Sequence, residues 1–511
     1  MNHSLTILTL VPLFGGIVVA GAGSARKSLV RGLALFSSLV TLTGAFCLWT
    51  HFLPNGTELQ FEEKFDWIPS LGIQYHLGID GLGLLMVMLT ALITPLAILV
   101  SWSQEDRPHV FHALILWLQA GLFGTFTALS FFHWFMFWEL ALIPAFFLVK
   151  LWGGPNRGPA AMQFFIYTMV GSVTLLLSFL AIWLATHSFD FIELKGMAHS
   201  GLLAQKLQAT FGWKNISLIV FLGVLLGFAV KVPLIPFHTW LPATYSEAPS
   251  AVTMLLTGVM SKMGVYGFLR ILLPIFPDQI RLVLTPLLWL AVATIVLSAC
   301  AAFAQRDIKR MIAYSSVNHL GYCLLAMFAA VGVATNVNQP ELQKAAALDG
   351  VLLQMFNHGL TASALFLFVA LLERRSGGLR NLDDFGGLRK VVPVFTGLMG
   401  IALFSSLGLP GLNGFVGEFL IFKGVFPLAP WAAAISTIGL LVTAIFLLTL
   451  IQRVFCGPLN SRWAKLPDLS TAERFLVAPS IALMFVLGVW PQLILGTIDA
   501  TVVRLVQQIS L

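Results

Sequence analysis

Residues 227–270, GFAVKVPLIPFHTWLPATYSEAPSAVTMLLTGVMSKMGVYGFLR, place Lys231 and Lys262 inside hydrophobic runs of membrane-spanning length. An ammonium group at bilayer depth costs roughly 2.5 to 3.5 kcal/mol on insertion scales, so such residues face a bundle interior or a water-filled path. Pro233 and Pro236 follow Lys231. Each removes a backbone donor and clashes with the preceding turn, so the pair predicts a discontinuous helix. Irregular backbone at that depth is tolerated only where freed carbonyls meet protein or water, and a charge beside such a break is the pattern of a midplane ion site. The competing reading is a kinked helix whose lysine snorkels to the interface. The apolar chain on both sides of Lys231, and the same problem at Lys262, weigh against it.

The rest of the chain reads the same way. Of 511 residues, 58% are hydrophobic and only 10% charged, far below the quarter or so of a globular protein, which makes this an all-α polytopic membrane protein. Using about 20 apolar residues per crossing, we expect about fourteen transmembrane helices. They fall near 4–22, 28–51, 80–102, 109–129, 131–152, 160–186, 216–238, 250–273, 280–304, 308–332, 345–373, 391–409 with 412–427, 430–456 and 472–491. The first is read as an uncleaved span, because the basic flank of a signal peptide is missing. Loop lysines and arginines, from Arg26 and Lys27 through Arg306, Arg375 and Arg453 to Arg474, crowd one side. Lys64, Lys195, Lys206, Lys214, Arg281 and Lys344 are left on the other. By the positive-inside rule the crowded side is cytoplasmic and both termini face outward. The outer loop 58–66 is acidic, and 189–214 is expected to form a short surface helix. The excess charge of +7 sets orientation rather than binding nucleic acid, so no nucleic-acid partner is expected.

A second interrupted span lies at SSLGLPGLNGFVGEFLIFKGVF (405–426), where Gly408, Pro410, Gly411 and Gly414 break the helix before Glu418. Paired broken helices in two halves point to inverted repeats. We therefore expect N-terminal helices over 1–108, a five-helix repeat at 109–273, its inverted partner at 280–456, and a C-terminal helix and tail at 457–511, each repeat holding one broken helix.

Other ionisable residues lie within spans. Glu139 sits in FFHWFMFWELALIPAFFLV, where a carboxylate stays ionised only if a cation neutralises it. Lys231 is the obvious mate, and a protonated glutamate bonded to backbone is the alternative. His319 in DIKRMIAYSSVNHLGYC and His358 in LLQMFNHGLTASALF are candidate proton carriers, although a lone histidine is as readily a satisfied core residue. His238 closes the first break, where a cap or loop contact competes with a role in proton uptake. His112 and His133 are read as interface residues and Asp307, Lys309 and Arg310 as a solvated helix end. Glu418 is read as the last carrier or as half of a structural pair with Lys423. The four cysteines are scattered, and no GxGxxG, phosphate loop or HExxH occurs, so neither a metal nor a cofactor site is expected in this chain.

Taken together, GFAVKVPLIPFHTWLPATYSEAPS, SKMGVYGFLR, DIKRMIAYSSVNHLGY, QMFNHGLTASALF and GLPGLNGFVGEFLIFKG resemble the proton-conducting antiporter-like subunits of respiratory complex I, closest to the M type, with related subunits in cation/proton antiporters and membrane-bound hydrogenases. The resemblance implies proton translocation driven by quinone reduction elsewhere in a larger complex of the bacterial inner membrane. It implies other membrane subunits as partners, with flavin, iron–sulfur clusters and quinone held by partner subunits. By position it makes Glu139 the carboxylate that modulates Lys231, Lys262 the link between halves, His319 and His358 the central axis, and Glu418 the terminal carrier. Pro233, Pro236, His238, Pro410 and Gly411 would support the two breaks. The family pattern assigns nothing to Lys423. A sodium/proton antiporter subunit and a purely structural scaffold are the other two readings.

Overall fold

The computed structural model describes residues 3–56, 58–332, 337 and 339–510. Helices occupy every position expected to span, but the number that qualifies is smaller than fourteen. Among the described residues eleven helices are long and apolar enough to cross a membrane, or twelve if one bent pair counts as a span. That pair, Leu202–Phe211 with Ile216–Lys231, bends by 106°, so its first member is a second surface helix after Phe191–His199. The broken pieces Ile216–Lys231, Pro393–Ser406 and Asn413–Leu428 are each too short to cross alone. Ile308–Val331 is long enough, but Ser315, Ser316, Asn318 and His319 lower its hydropathy.

Helices Gly81–Val100, Pro108–Thr127, Ile308–Val331 and Pro340–Ser376, with the interrupted helix over 250–275, form the centre and are buried nearly all round. Helices Ser4–Gly21, Lys27–His51, Arg157–Thr186, Leu284–Phe303 and Thr471–Val489 surround them and turn a continuous apolar face outward. A helix apolar on its outward face belongs in lipid, so the bilayer is the solvent of this outer ring. In both halves the first helix packs along the second and the third along the helix of the break.

Two elements depart from the sequence reading. Gln60–Ile68 and Ile73–Ile79 form an antiparallel hairpin, closed through Pro69–Leu71 and Gly72 at φ 65°. It occupies the loop expected to be merely acidic, and each of its acidic residues has a task. Glu63 accepts from the Leu5 amide at 2.8 Å and so ties down the first helix. His76 bridges Glu62 and Asp190, the residue that caps helix Phe191–His199. Burial pushes the Asp190 carboxyl up, but the His76 hydrogen bond and charge, the Glu193 amide and the Lys64 charge together outweigh it and hold the group below the ordinary carboxylate range. A lowered carboxyl adds stability that is complete above its unfolded pKa and is lost only as pH falls through the lowered value, so acidification to the usual carboxylate range leaves this anchor in place. The second departure is the expected tail, which is helix Gln492–Ser510. It lays Ile494, Ile498, Val502 and Leu505 against the central helices, and Arg504 reaches the Gly56 carbonyl at 2.9 Å. Both termini therefore share the hairpin's face.

Among the described residues the loop ion pairs form two groups, one on each face. Lys27 and Arg31 meet Glu105, Arg306 and Arg453 meet Asp383, and Arg375 meets Glu473. On the hairpin face Lys195 meets Glu58, and Lys64 meets Asp190. The second break depends on close backbone approach. A Cβ at Gly414 would stand 1.9 Å from the Ser405 carbonyl oxygen, a backbone atom with nowhere to go. Gly414→Ala is expected to open the turn and cost about 1–3 kcal/mol, the range of a strained core insertion, read as loss of assembled protein on a native gel.

Candidate ion-translocation site

Helix Ile216–Lys231 stops at its lysine because Pro233 supplies no donor. The freed Val230 carbonyl accepts from Trp240 Nε1 at 2.9 Å, and the Ile235 amide donates to Thr294 Oγ1 at 3.1 Å before helix Trp240–Glu247 resumes. Pro236, preceded by a cis peptide bond, and Thr239 lie at the surface, Pro233 is buried, and His238 is half-buried with its ring 6.5 Å from Tyr314. Lys231 is buried, and its Nζ sits 4.7 Å above the centre of the Trp138 ring. A ring face attracts a cation but accepts no proton from it. Among the described residues Nζ has no hydrogen-bond partner, nor does Glu139 Oε1, and the two side chains are not in ion-pair contact. The expected direct pair is thus not made. The residue beside Glu139 caps the ammonium in its place, because the glutamate lies one helix position around from the face that meets the break.

The two lysine segments approach through glycine. A Cβ at Gly264 would come within 2.6 Å of Val232 Cγ2 and 2.9 Å of the Val232 nitrogen. Lys262 lies between two π-turns, Leu256–Met260 and Phe268–Leu272, a feature frequent at functional sites. Its buried Nζ donates to the Thr257 carbonyl at 2.5 Å and lies 3.4 Å from Ser261 Oγ and 2.8 Å from His358 Nδ1. An ammonium has no lone pair, so that nitrogen of His358 is the acceptor.

From His358 the polar run continues without a break in packing. The rings of His358 and His319 are centred 5.1 Å apart, and His319 Nδ1 lies 2.9 Å from Glu418 Oε1. The other ring nitrogen of His319 is 3.3 Å from Ser406 Oγ. A cavity of about 10 Å³ lies among these groups, lined by Gln354, Asn357, Thr361 and Ser405, with room for about one water. Glu418 fits because Gly408, at φ 80°, carries no Cβ where Oε2 rests. Lys423 is exposed and makes no ion pair among the described residues, so the side chain beside Glu418 is His319.

The break is pinned by groups not singled out in the sequence. Ser405 Oγ donates to Asn413 Oδ1 at 2.5 Å, and Asn357 Nδ2 donates to the Asn413 carbonyl at 2.7 Å. Pro410 and Gly411 face outward, so they shape the turn without lining the run. Three further expectations need correction. Lys309 is not solvated: it is buried, donates to the Ala248 carbonyl at 2.7 Å and lies 3.6 Å from Glu373 Oε1. Arg380 joins this cluster, 2.6 Å from Asp307 and 3.6 Å from Glu247. His112 and His133 are buried rather than interfacial, the first with Nδ1 2.8 Å from the Pro108 carbonyl and the second against the Tyr75 ring. Half-buried Arg270 and buried Asp80 form an ion pair at the hairpin end of the Lys262 helix. Pattern reading offered no signal for Lys309, His133 and the Arg270–Asp80 pair because their partners lie far away in sequence.

Comparison with known proteins places the chain in a family. Residues 128–445 match the family described as "NADH:quinone oxidoreductase/Mrp antiporter, TM". The chain is 36% identical over 518 residues to NADH-quinone oxidoreductase subunit M of Rhodobacter capsulatus, covering 99% of this chain and 97% of the relative. It is 35% identical over 496 residues to F(420)H(2) dehydrogenase subunit M of Methanosarcina mazei, covering 96% and 95%. A chain of respiratory complex I from Thermus thermophilus superposes with a TM-score of 0.82 at 28% identity, covering 98% of this chain and 99% of that one.

Proposed function

The chain belongs to the NADH:quinone oxidoreductase/Mrp antiporter family, and from that premise we propose that it is a proton-translocating membrane subunit of an NADH:quinone oxidoreductase. The observation that carries the reading is the buried run Lys262, His358, His319, Glu418, in which every neighbour is a proton donor or acceptor. In this reading Glu139 and Lys231 approach and separate. When Glu139 moves off, the Lys231 proton loses its counter-charge and shifts toward Lys262, from which it passes through the two histidines and the water-sized gap to Glu418. Unit charges about 4 Å apart interact by roughly 4 kcal/mol at an effective dielectric near 20, enough to drive such a shift. Residues 109–273 and 280–456 act as inverted repeats, since five crossings return the chain to the opposite face. The protein resides in the bacterial inner membrane with the arginine-rich face cytoplasmic and both termini outside. Partner subunits hold flavin, iron–sulfur clusters and quinone, and other antiporter-like subunits flank it.

The experiment is reconstitution of the purified complex in liposomes with a pH-sensitive dye. His319→Ala is expected to cut proton translocation about tenfold, equivalent to 1.4 kcal/mol of barrier, while assembly is retained. Undiminished translocation would overturn the reading, and failed assembly would favour a scaffold. The family's second named branch keeps an antiporter subunit as the alternative. Sodium-dependent proton movement without an electron donor would favour it, and copurified flavin and iron–sulfur subunits would exclude it.

A further inference from the structure

An apolar groove opens between helices Lys27–His51, Gly81–Val100, Pro340–Ser376, Thr471–Val489 and Gln492–Ser510, and encloses about 530 Å³. Phe46, Met88, Leu92 and Leu487 form its walls and Phe356 its floor. Thr43 and Trp49 are the two lining residues with a polar side-chain atom, and the Thr43 hydroxyl is already donated to the Leu39 carbonyl at 3.0 Å. No free polar group faces the depth of the groove, so a ligand with a buried polar head has nothing to bind there and the occupant is hydrocarbon along its length.

Size and position narrow the occupant. A helix is about 10–12 Å across with its side chains, so this volume would hold little more than one turn of a partner helix. From Leu42 to Trp49 the groove follows about 10 Å of helix, most of the roughly 15 Å of hydrocarbon in one leaflet. From Leu42, just past the middle of its helix, it runs toward the hairpin face, where half-buried Trp49 stands near the helix end, the usual place for an indole beside lipid headgroups.

We infer that the groove is a phospholipid site. One lipid of the hairpin-side leaflet inserts its acyl chain between helix Lys27–His51 and the central helix, with its headgroup beside Trp49. Phe356 directly precedes Asn357 and His358, so this chain packs the outer side of the helix that carries the central histidine. The inference does not rest on the proposed ion route.

The test uses the unaltered protein, purified with its accompanying subunits. It is incorporated into phosphatidylethanolamine and phosphatidylglycerol vesicles containing a phosphatidylcholine with a photoactivatable diazirine in its acyl chain. After illumination, adducts are expected on peptides holding residues 42–49, Phe356 and 483–487, and they are expected to persist after detergent washing before illumination. Leu92→Trp, which fills the groove, should reduce them severalfold, while Thr43→Ala should leave them unchanged. Label confined to outward-facing residues such as Phe14 and Phe36, a crosslink from the groove to another subunit, unchanged labelling in Leu92→Trp, or loss of labelling in Thr43→Ala would each overturn it. If Leu92→Trp does not assemble, the label positions on the unaltered protein decide the question.

Discussion

Lys262→Ala is expected to lower proton translocation by about tenfold or more, 1.4 kcal/mol or more of barrier, with the complex still assembled. The lysine is fully buried, and its ammonium joins the Thr257 carbonyl to His358 Nδ1. Removing it takes away the ammonium that links the π-turned helix to the histidine pair, and alanine offers no proton. The fold should survive, because the substitution deletes a costly buried charge and leaves glycine contacts such as Gly264 against Val232 intact. The measurement is dye quenching in liposomes alongside native-gel assembly. Lys262→Arg separates charge from proton transfer, since a guanidinium keeps the charge but does not release its proton. Wild-type pumping in the arginine variant would reduce Lys262 to a fixed charge.

Glu418→Gln is expected to lose translocation nearly as fully as Glu418→Ala, again about tenfold. Glutamine keeps the shape and an oxygen for His319 Nδ1, now 2.9 Å from the carboxylate, but it cannot accept and release a proton. If Glu418 merely braced the second break, the amide would serve nearly as well and only the alanine variant would fail. The two substitutions therefore distinguish a carrier from a brace. Lys423→Ala is the matched control, because that side chain is exposed and does not pair with Glu418, and it should leave translocation unchanged.

Much of this site was legible in the sequence because a membrane makes charge conspicuous. Lys231, Lys262, His319, His358 and Glu418 each interrupt a long apolar run, and Pro233 with Pro236 and Gly408 with Gly411 announce breaks that hydropathy alone would have smoothed over. The structure brings Lys262, both histidines and Glu418 into one run. The less visible part is polar but uncharged. Gln354, Thr361, Ser405 and Asn413 are ordinary helix residues by composition, and they matter only because Gly414 lets two backbones meet. Lys309 looked solvated because it sits among basic loop residues. It is buried because Ala248 and Glu373, far along the chain, fold over it.

By itself the sequence determined the class, where the helices lie and which titratable groups interrupt apolar runs, because the cost of burying charge and freeing backbone in hydrocarbon is local and large. Tertiary structure decided the pairings: that Trp138 rather than Glu139 covers Lys231, that Glu418 meets His319 rather than Lys423, and that residues 60–79 form a hairpin while 492–510 form a helix across the same face. Pairing is set by distances of a few ångströms between segments hundreds of residues apart, and no periodicity along one helix encodes them.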